Sequence, residues 1–177
     1  MSIFDFLSSR LEHNRPKKIL MIADYLVGMW ARNDYFEPLF TNWEKMNTAQ
    51  RKMAKLLIIV LDSYAAMPFL DVKSEIQLFY PLLAQKTWKK LDVKGEQVNS
   101  AKDFEKYLIM QHSIFDKTFT APELPQAQDI KKVIGGFLPS ITESEKTALS
   151  LKLYASTTIF LKHIGEMIDE ARGSGLI

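Results

Sequence analysis

The sequence predicts an all-α fold: a compact, irregular bundle of six or seven helices, built as one domain over residues 1–177. Three observations predict it. Apolar residues recur every three to four positions through nearly the whole chain, which is the spacing of one helix face. The 7 Gly and 7 Pro fall mostly between these periodic segments, where they act as punctuation. No segment sustains the alternation of a half-buried strand. Leu56 to Val60 suit a buried strand by composition, but they lie inside a longer helical period.

Residues 2–13 place Ile3, Phe6, Leu7 and Leu11 at helical spacing, with Ser2 as N-cap and Asp5 at N3. Asn14-Arg15-Pro16 ends this helix, and Pro16 opens a second one reaching Asn33, because a first-turn residue has no intrahelical use for its N–H. Ile19, Ile22, Ala23, Leu26, Val27 and Trp30 form its stripe, widened by Leu20, Met21 and Met29, so the helix is expected to be well buried. From Asp34 to Met46 the reading is a loop followed by a short helix from about Pro38.

Asn47-Thr48 then supplies a fresh N-cap for a helix over residues 48–67, ended by Pro68. Ala49, Met53, Leu56, Leu57, Val60, Leu61 and Tyr64 line one side of it, and Ile58 and Ile59 lie toward the other. A helix apolar on most of its girth belongs in the centre of a bundle. Residues 71–92 repeat the pattern with Ile76, Phe79, Tyr80, Leu83, Trp88 and Leu91, closed by Lys94-Gly95. Pro81 inside it predicts a kink or two short helices.

Asn99-Ser100 opens the next helix, with Asp103 three residues after Ser100, and Phe104, Tyr107, Leu108, Phe115 and Phe119 share a face. Pro122 and Pro125 mark a linker. Residues 126–138 carry Ile130, Val133, Ile134 and Phe137, and Gly135-Gly136 predicts early fraying. Thr142-Glu143-Ser144-Glu145 is a capping box, and the helix it starts runs to Arg172 with Gly173 as its C′ residue. Its length is about 45 Å. This helix and the one over residues 48–67 are expected to form the spine.

Composition narrows the function classes. Hydrophobic residues are 47% and charged residues 25%, ordinary values for a globular chain. The 3 Trp, 6 Tyr, 11 Phe and 8 Met supply bulk for a core that needs no disulfide or metal. Cysteine is absent, which removes disulfides, thiolate metal sites and a Cys nucleophile. The amino terminus lacks the basic start and unbroken apolar run of a secretory signal, and the longest apolar run, Leu56 to Leu61, is far short of the ~20 residues of a membrane span. A cytoplasmic location is the expectation. A net charge of +2 is too balanced to argue for an electrostatic partner, and it disfavours nucleic acid.

The chain holds three histidines. His112 and Asp116 stand at i, i+4, and His163 and Glu166 at i, i+3, so two facing helices could offer one His and one carboxylate apiece to a divalent metal. Carboxylate-bridged bundle sites use Glu-x-x-His, which this chain lacks, so surface pairing or capping is the preferred reading. No Gly-x-Ser-x-Gly and no glycine-rich phosphate loop is present, and no cofactor is implied. Lys86, Lys89, Lys90 and Lys94 around Trp88 could contact phosphates and bases, but they read better as the solvated rim of an apolar stripe. Tyr35, Phe36, Phe40 and Trp43 are the candidate contacts for a partner or ligand, since Trp and Tyr are enriched at hot spots; a lid packed over the core is the preferred alternative.

Function is therefore an expectation drawn from missing catalytic signatures. The chain reads as a non-enzymatic binding protein acting on another protein as a regulator, adaptor or toxin-neutralising factor, with a homo-oligomer also compatible. Such a protein should expose an apolar patch. The alternative is a small-molecule or metal-binding bundle, or an enzyme, using His112/Asp116 and His163/Glu166.

Overall fold

A computed structural model of the chain describes residues 3–70, 73–95, 98–120 and 125–177, with side chains described from residue 16 onward except that of residue 33. Ser2, Asp71 and Pro122, and the side chains of Ile3, Phe6, Leu7, Leu11 and His13, lie outside the described part. Seven α-helices occur among the described residues: α1 (Ile3–Trp30), α2 (Asn33–Phe36), α3 (Thr48–Ala65), α4 (Lys73–Lys90), α5 (Ala101–Thr118), α6 (Ala127–Phe137) and α7 (Glu143–Gly173). Short 3-10 turns at Glu37–Leu39, Trp43–Lys45 and Met67–Phe69 join them. The fold is an all-α bundle with one contiguous hydrophobic core.

The core is built around α3. Every residue from Leu56 to Ala65 is buried, so this helix has no solvent face over its last ten positions. It packs against α1, α5, α6 and α7. Its start is set by a capping box: the Asn47 side chain accepts from the Gln50 N–H, and the Gln50 side chain accepts from the Asn47 N–H. Helix α7 has the corresponding Thr142/Glu145 box. The outer helices pair as α1 on α4, α4 on α5, and α6 on α7.

A buried ion pair stitches α1 to α4: Lys18 Nζ lies 2.9 Å from Glu75 Oε2, and both side chains are almost wholly covered. A second pair, Lys86 with Asp24, joins the same helices nearer their carboxyl ends. The partner numbers rise together along both helices, so α1 and α4 run in the same sense.

The structure corrects five expectations. The two amino-terminal helices are one, because α1 passes through Pro16 unbroken. A mid-helix Pro costs about 3 kcal/mol, and the downstream half buries Ile19, Ile22, Ala23, Leu26, Val27 and Trp30, which outweighs it. Helix α4 likewise runs as one element through Pro81 and is not divided into two short helices, with Phe79 and Tyr80 buried before the proline and Leu83 and Ala84 after it. The segment before α3 begins with α2 and ends in a 3-10 turn, where a loop and then a helix from Pro38 were expected. Finally, the residue with positive φ after α7 is Gly175, and Gly173 remains helical. The Leu176 N–H reaches the Ala171 carbonyl and the Gly175 N–H the Arg172 carbonyl, which is a Schellman closure two residues later than the sequence suggested. Helix α6 also continues through Gly135-Gly136, held by the buried Phe137 and Leu138.

Candidate functional site

Three consecutive residues near the end of α3, Asp62, Ser63 and Tyr64, reach out to two sides of the bundle. Asp62 faces α1 and α2. Its Oδ2 accepts from Trp30 Nε1 at 3.0 Å and from the Tyr35 hydroxyl at 2.9 Å. Burial pushes its carboxyl up to about 7, against the pull of these two donors. Burial, then the Asp62 charge, holds the Tyr35 hydroxyl protonated well above its ordinary range. Tyr35 also lines a surface cleft of about 500 Å3 between α1, α2 and α7, with Tyr25, Arg32, Asp34, Ser156 and His163 among its walls.

Ser63 faces α5. Its hydroxyl donates to the Val60 carbonyl at 3.0 Å and lies 3.0 Å from His112 Nε2. His112 Nε2 is 3.2 Å from the same carbonyl, which can only accept, so the ring proton belongs on Nε2. Nδ1 then accepts from the Tyr80 hydroxyl at 2.7 Å. Burial lowers the His112 pKa to about 3, so the imidazole is neutral and fully engaged. Tyr64, the third residue, donates to Asp116 Oδ1 at 2.8 Å and meets His112 and Phe115 edge-on.

The residues singled out from the sequence distribute as follows. Phe36 and Phe40 are buried in the core, and Tyr35 and Trp43 are half-buried. Arg51 of α3 sits over the Trp43 ring at 5.7 Å and bonds its carbonyl at 3.1 Å, while Lys55 lies over Phe36 at 5.5 Å. This aromatic segment is pinned down as a cover on α3. Neither His/acid pair forms as a pair: Asp116 bonds Tyr64, and Glu166 lies 3.6 Å from Lys162. His163 is exposed on α7, with Nδ1 3.5 Å from the Tyr25 hydroxyl. Among the described residues no three His, Asp or Glu gather as metal ligands, so the four candidates do not share one site. Of the basic cluster, Lys86 is paired with Asp24 and Lys94 covers the Trp88 ring at 5.8 Å.

A surface that sequence reasoning missed lies between α5 and α6. A groove of about 400 Å3 is lined by Tyr107, Met110, Gln111, Ile114 and Thr118 of α5, by Val133, Gly136 and Phe137 of α6, and by Met53 of α3. The α5 residues repeat at i, i+3, i+4, i+7 and i+11, so they form a second stripe beside the core stripe of Phe104, Leu108, His112 and Phe115. Met110 is 47% exposed and Ile114 45%. Lys106 and Lys117 flank this stripe on the outer side of α5, and Lys132 lines the groove from α6. Gly136 leaves the α6 wall low; a Cβ there would meet nothing within 4 Å. The signal was present in the sequence as Met110 and Ile114 one turn apart, on the side of α5 next to the core face.

No family model, no curated protein and no solved structure matches the chain. Among the described residues no helix is long and apolar enough to cross a membrane.

Proposed function

We propose that this chain is a non-enzymatic binding protein that seats an amphipathic helix of a partner protein in the groove between α5 and α6. The observation that carries the reading is the pair Met110 and Ile114, large apolar side chains left nearly half exposed over a floor of Phe115 and Phe137. An apolar groove of helical length is the receptor half of helix-in-groove recognition. The rim supplies the specificity. Lys106, Lys117 and Lys132 favour a partner helix whose apolar face is bordered by Asp and Glu. Lys132 already meets Asp129 Oδ1 at 2.8 Å, so an incoming carboxylate would share that lysine with a buried acid.

The polar groups around His112 are taken up by one another. His112 has both ring nitrogens occupied inside the core, and the Ser63 hydroxyl is spent on Val60. Neither is available to act on a substrate as base or nucleophile.

The experiment is co-purification from the native host with mass spectrometry, comparing the natural chain with an M110E/I114E double variant. A protein retained by the natural chain and lost from the variant, with unchanged helicity, supports the reading. Identical retention by both proteins, or none by either, contradicts it.

A further inference from the structure

We propose that the cavity between α3, α4 and α5 is a binding site for a small organic ammonium ion, independent of the partner groove on the other side of α5. Its volume is about 370 Å3, within the range of ordinary ligand pockets. Tyr64, Met67, Pro68, Ile76, Tyr80, His112 and Asp116 line it. The chemistry of that lining is one-sided. Asp116 is its one charged side chain among the described residues; no lysine or arginine faces it, and His112 is held neutral by burial.

Asp116 is exposed and forms no ion pair among the described residues; its Oδ1 accepts from the Tyr64 hydroxyl. The remaining wall is apolar or aromatic. An ammonium group at Asp116 would gain a charge-assisted hydrogen bond from the carboxylate and lie against the rings of Tyr64 and Tyr80. Its apolar body would meet Met67, Pro68 and Ile76. An anion would meet Asp116 with no compensating cation, and a neutral ligand would gain no charge-assisted bond from it. The larger cleft between α1 and α7 offers no such selectivity, because its carboxylates are already matched: Asp34 with Arg32 and Asp24 with Lys86.

The test is an NMR titration of the full chain with phenethylammonium, alongside 3-phenylpropionate and 3-phenylpropanol as anionic and neutral analogues. The expected result is saturable displacement of the Tyr64 and Tyr80 ring resonances by the ammonium ion alone, below about 10 mM. D116N, which keeps an oxygen for the Tyr64 hydroxyl, should fold and bind about tenfold more weakly or worse. I76K, which brings a cation to the apolar wall, should also lose binding. Equal binding of either analogue, unchanged affinity in D116N, or no saturation by the ammonium ion overturns the proposal.

Discussion

Asp62 and Ser63 are neighbours on one helix, equally buried, and they solve the problem of a buried polar group in opposite ways. Asp62 is a carboxyl given two donors on a single oxygen, Trp30 and Tyr35, and no cation. Ser63 belongs to a neutral chain running from Tyr80 through His112 to the Val60 carbonyl, in which no charge is buried. The first is an acid whose ionisation the fold resists. The second is a base whose protonation the fold resists. Hydrogen bonds alone therefore do not decide the cost of burial; the charge of the favoured state does.

The largest expected effect comes from breaking the neutral chain. H112L should leave the Tyr80 hydroxyl without its acceptor and destabilise the fold by about 3 kcal/mol in urea denaturation. A loss below about 1 kcal/mol would mean that these bonds are easily replaced.

The two hubs should next be separable by pH. His112 has a folded pKa near 3, below its ordinary value of 6.5, so the folded state binds fewer protons than the unfolded chain between those values. Stability from this group is complete above about pH 6.5 and is lost as pH falls toward 3. Asp62 has a folded pKa near 7, above its ordinary 3.8, so its contribution is complete below about pH 4 and is lost as pH rises through 7. The full Asp62 effect is at most about 4 kcal/mol, at 1.36 kcal/mol per pKa unit. D62N should therefore be more stable than the natural chain at pH 8 by about 2 kcal/mol or more, with the advantage shrinking toward pH 4. Urea midpoints across that range measure it, and a D62N advantage that grew on acidification would reverse the assignment.

Smaller changes sharpen the contrast. Y35F removes one donor that holds Asp62 down, so it should cost about 1 kcal/mol and move the Asp62 titration, followed by carboxyl NMR, to higher pH. At the far end, G136A on the open wall of the α5–α6 groove should stabilise the chain by about 0.5–1 kcal/mol in thermal unfolding, because its Cβ meets nothing. A loss of stability there would show that the wall is packed.

The pattern of what could be read in advance follows from the range of each interaction. The helix starts at Asn47, Ser100 and Thr142 are local devices spanning three residues, and each is where the sequence placed it. The all-round burial of α3 was visible in Ile58 and Ile59 facing away from its main stripe. The prolines were misjudged because their local cost is offset by tertiary burial that periodicity does not measure, as at Ile19 to Trp30 in α1. Site chemistry was harder still. His112 was noticed, but its partners Ser63 and Tyr80 are 49 and 32 residues away, and nothing local pairs them. The groove stayed hidden because Met110 and Ile114 are the same residue types that fill cores. Only the placement of α6 shows which face of α5 is left open.

Seating of a partner helix in the α5–α6 groove is open to direct measurement. The most direct measurement is methyl NMR of the complex formed with the co-purified partner. The Met53, Met110 and Ile114 methyls should shift, with the core methyls of Ile58 and Ile164 unmoved. Unshifted groove methyls in a saturated complex would contradict the account.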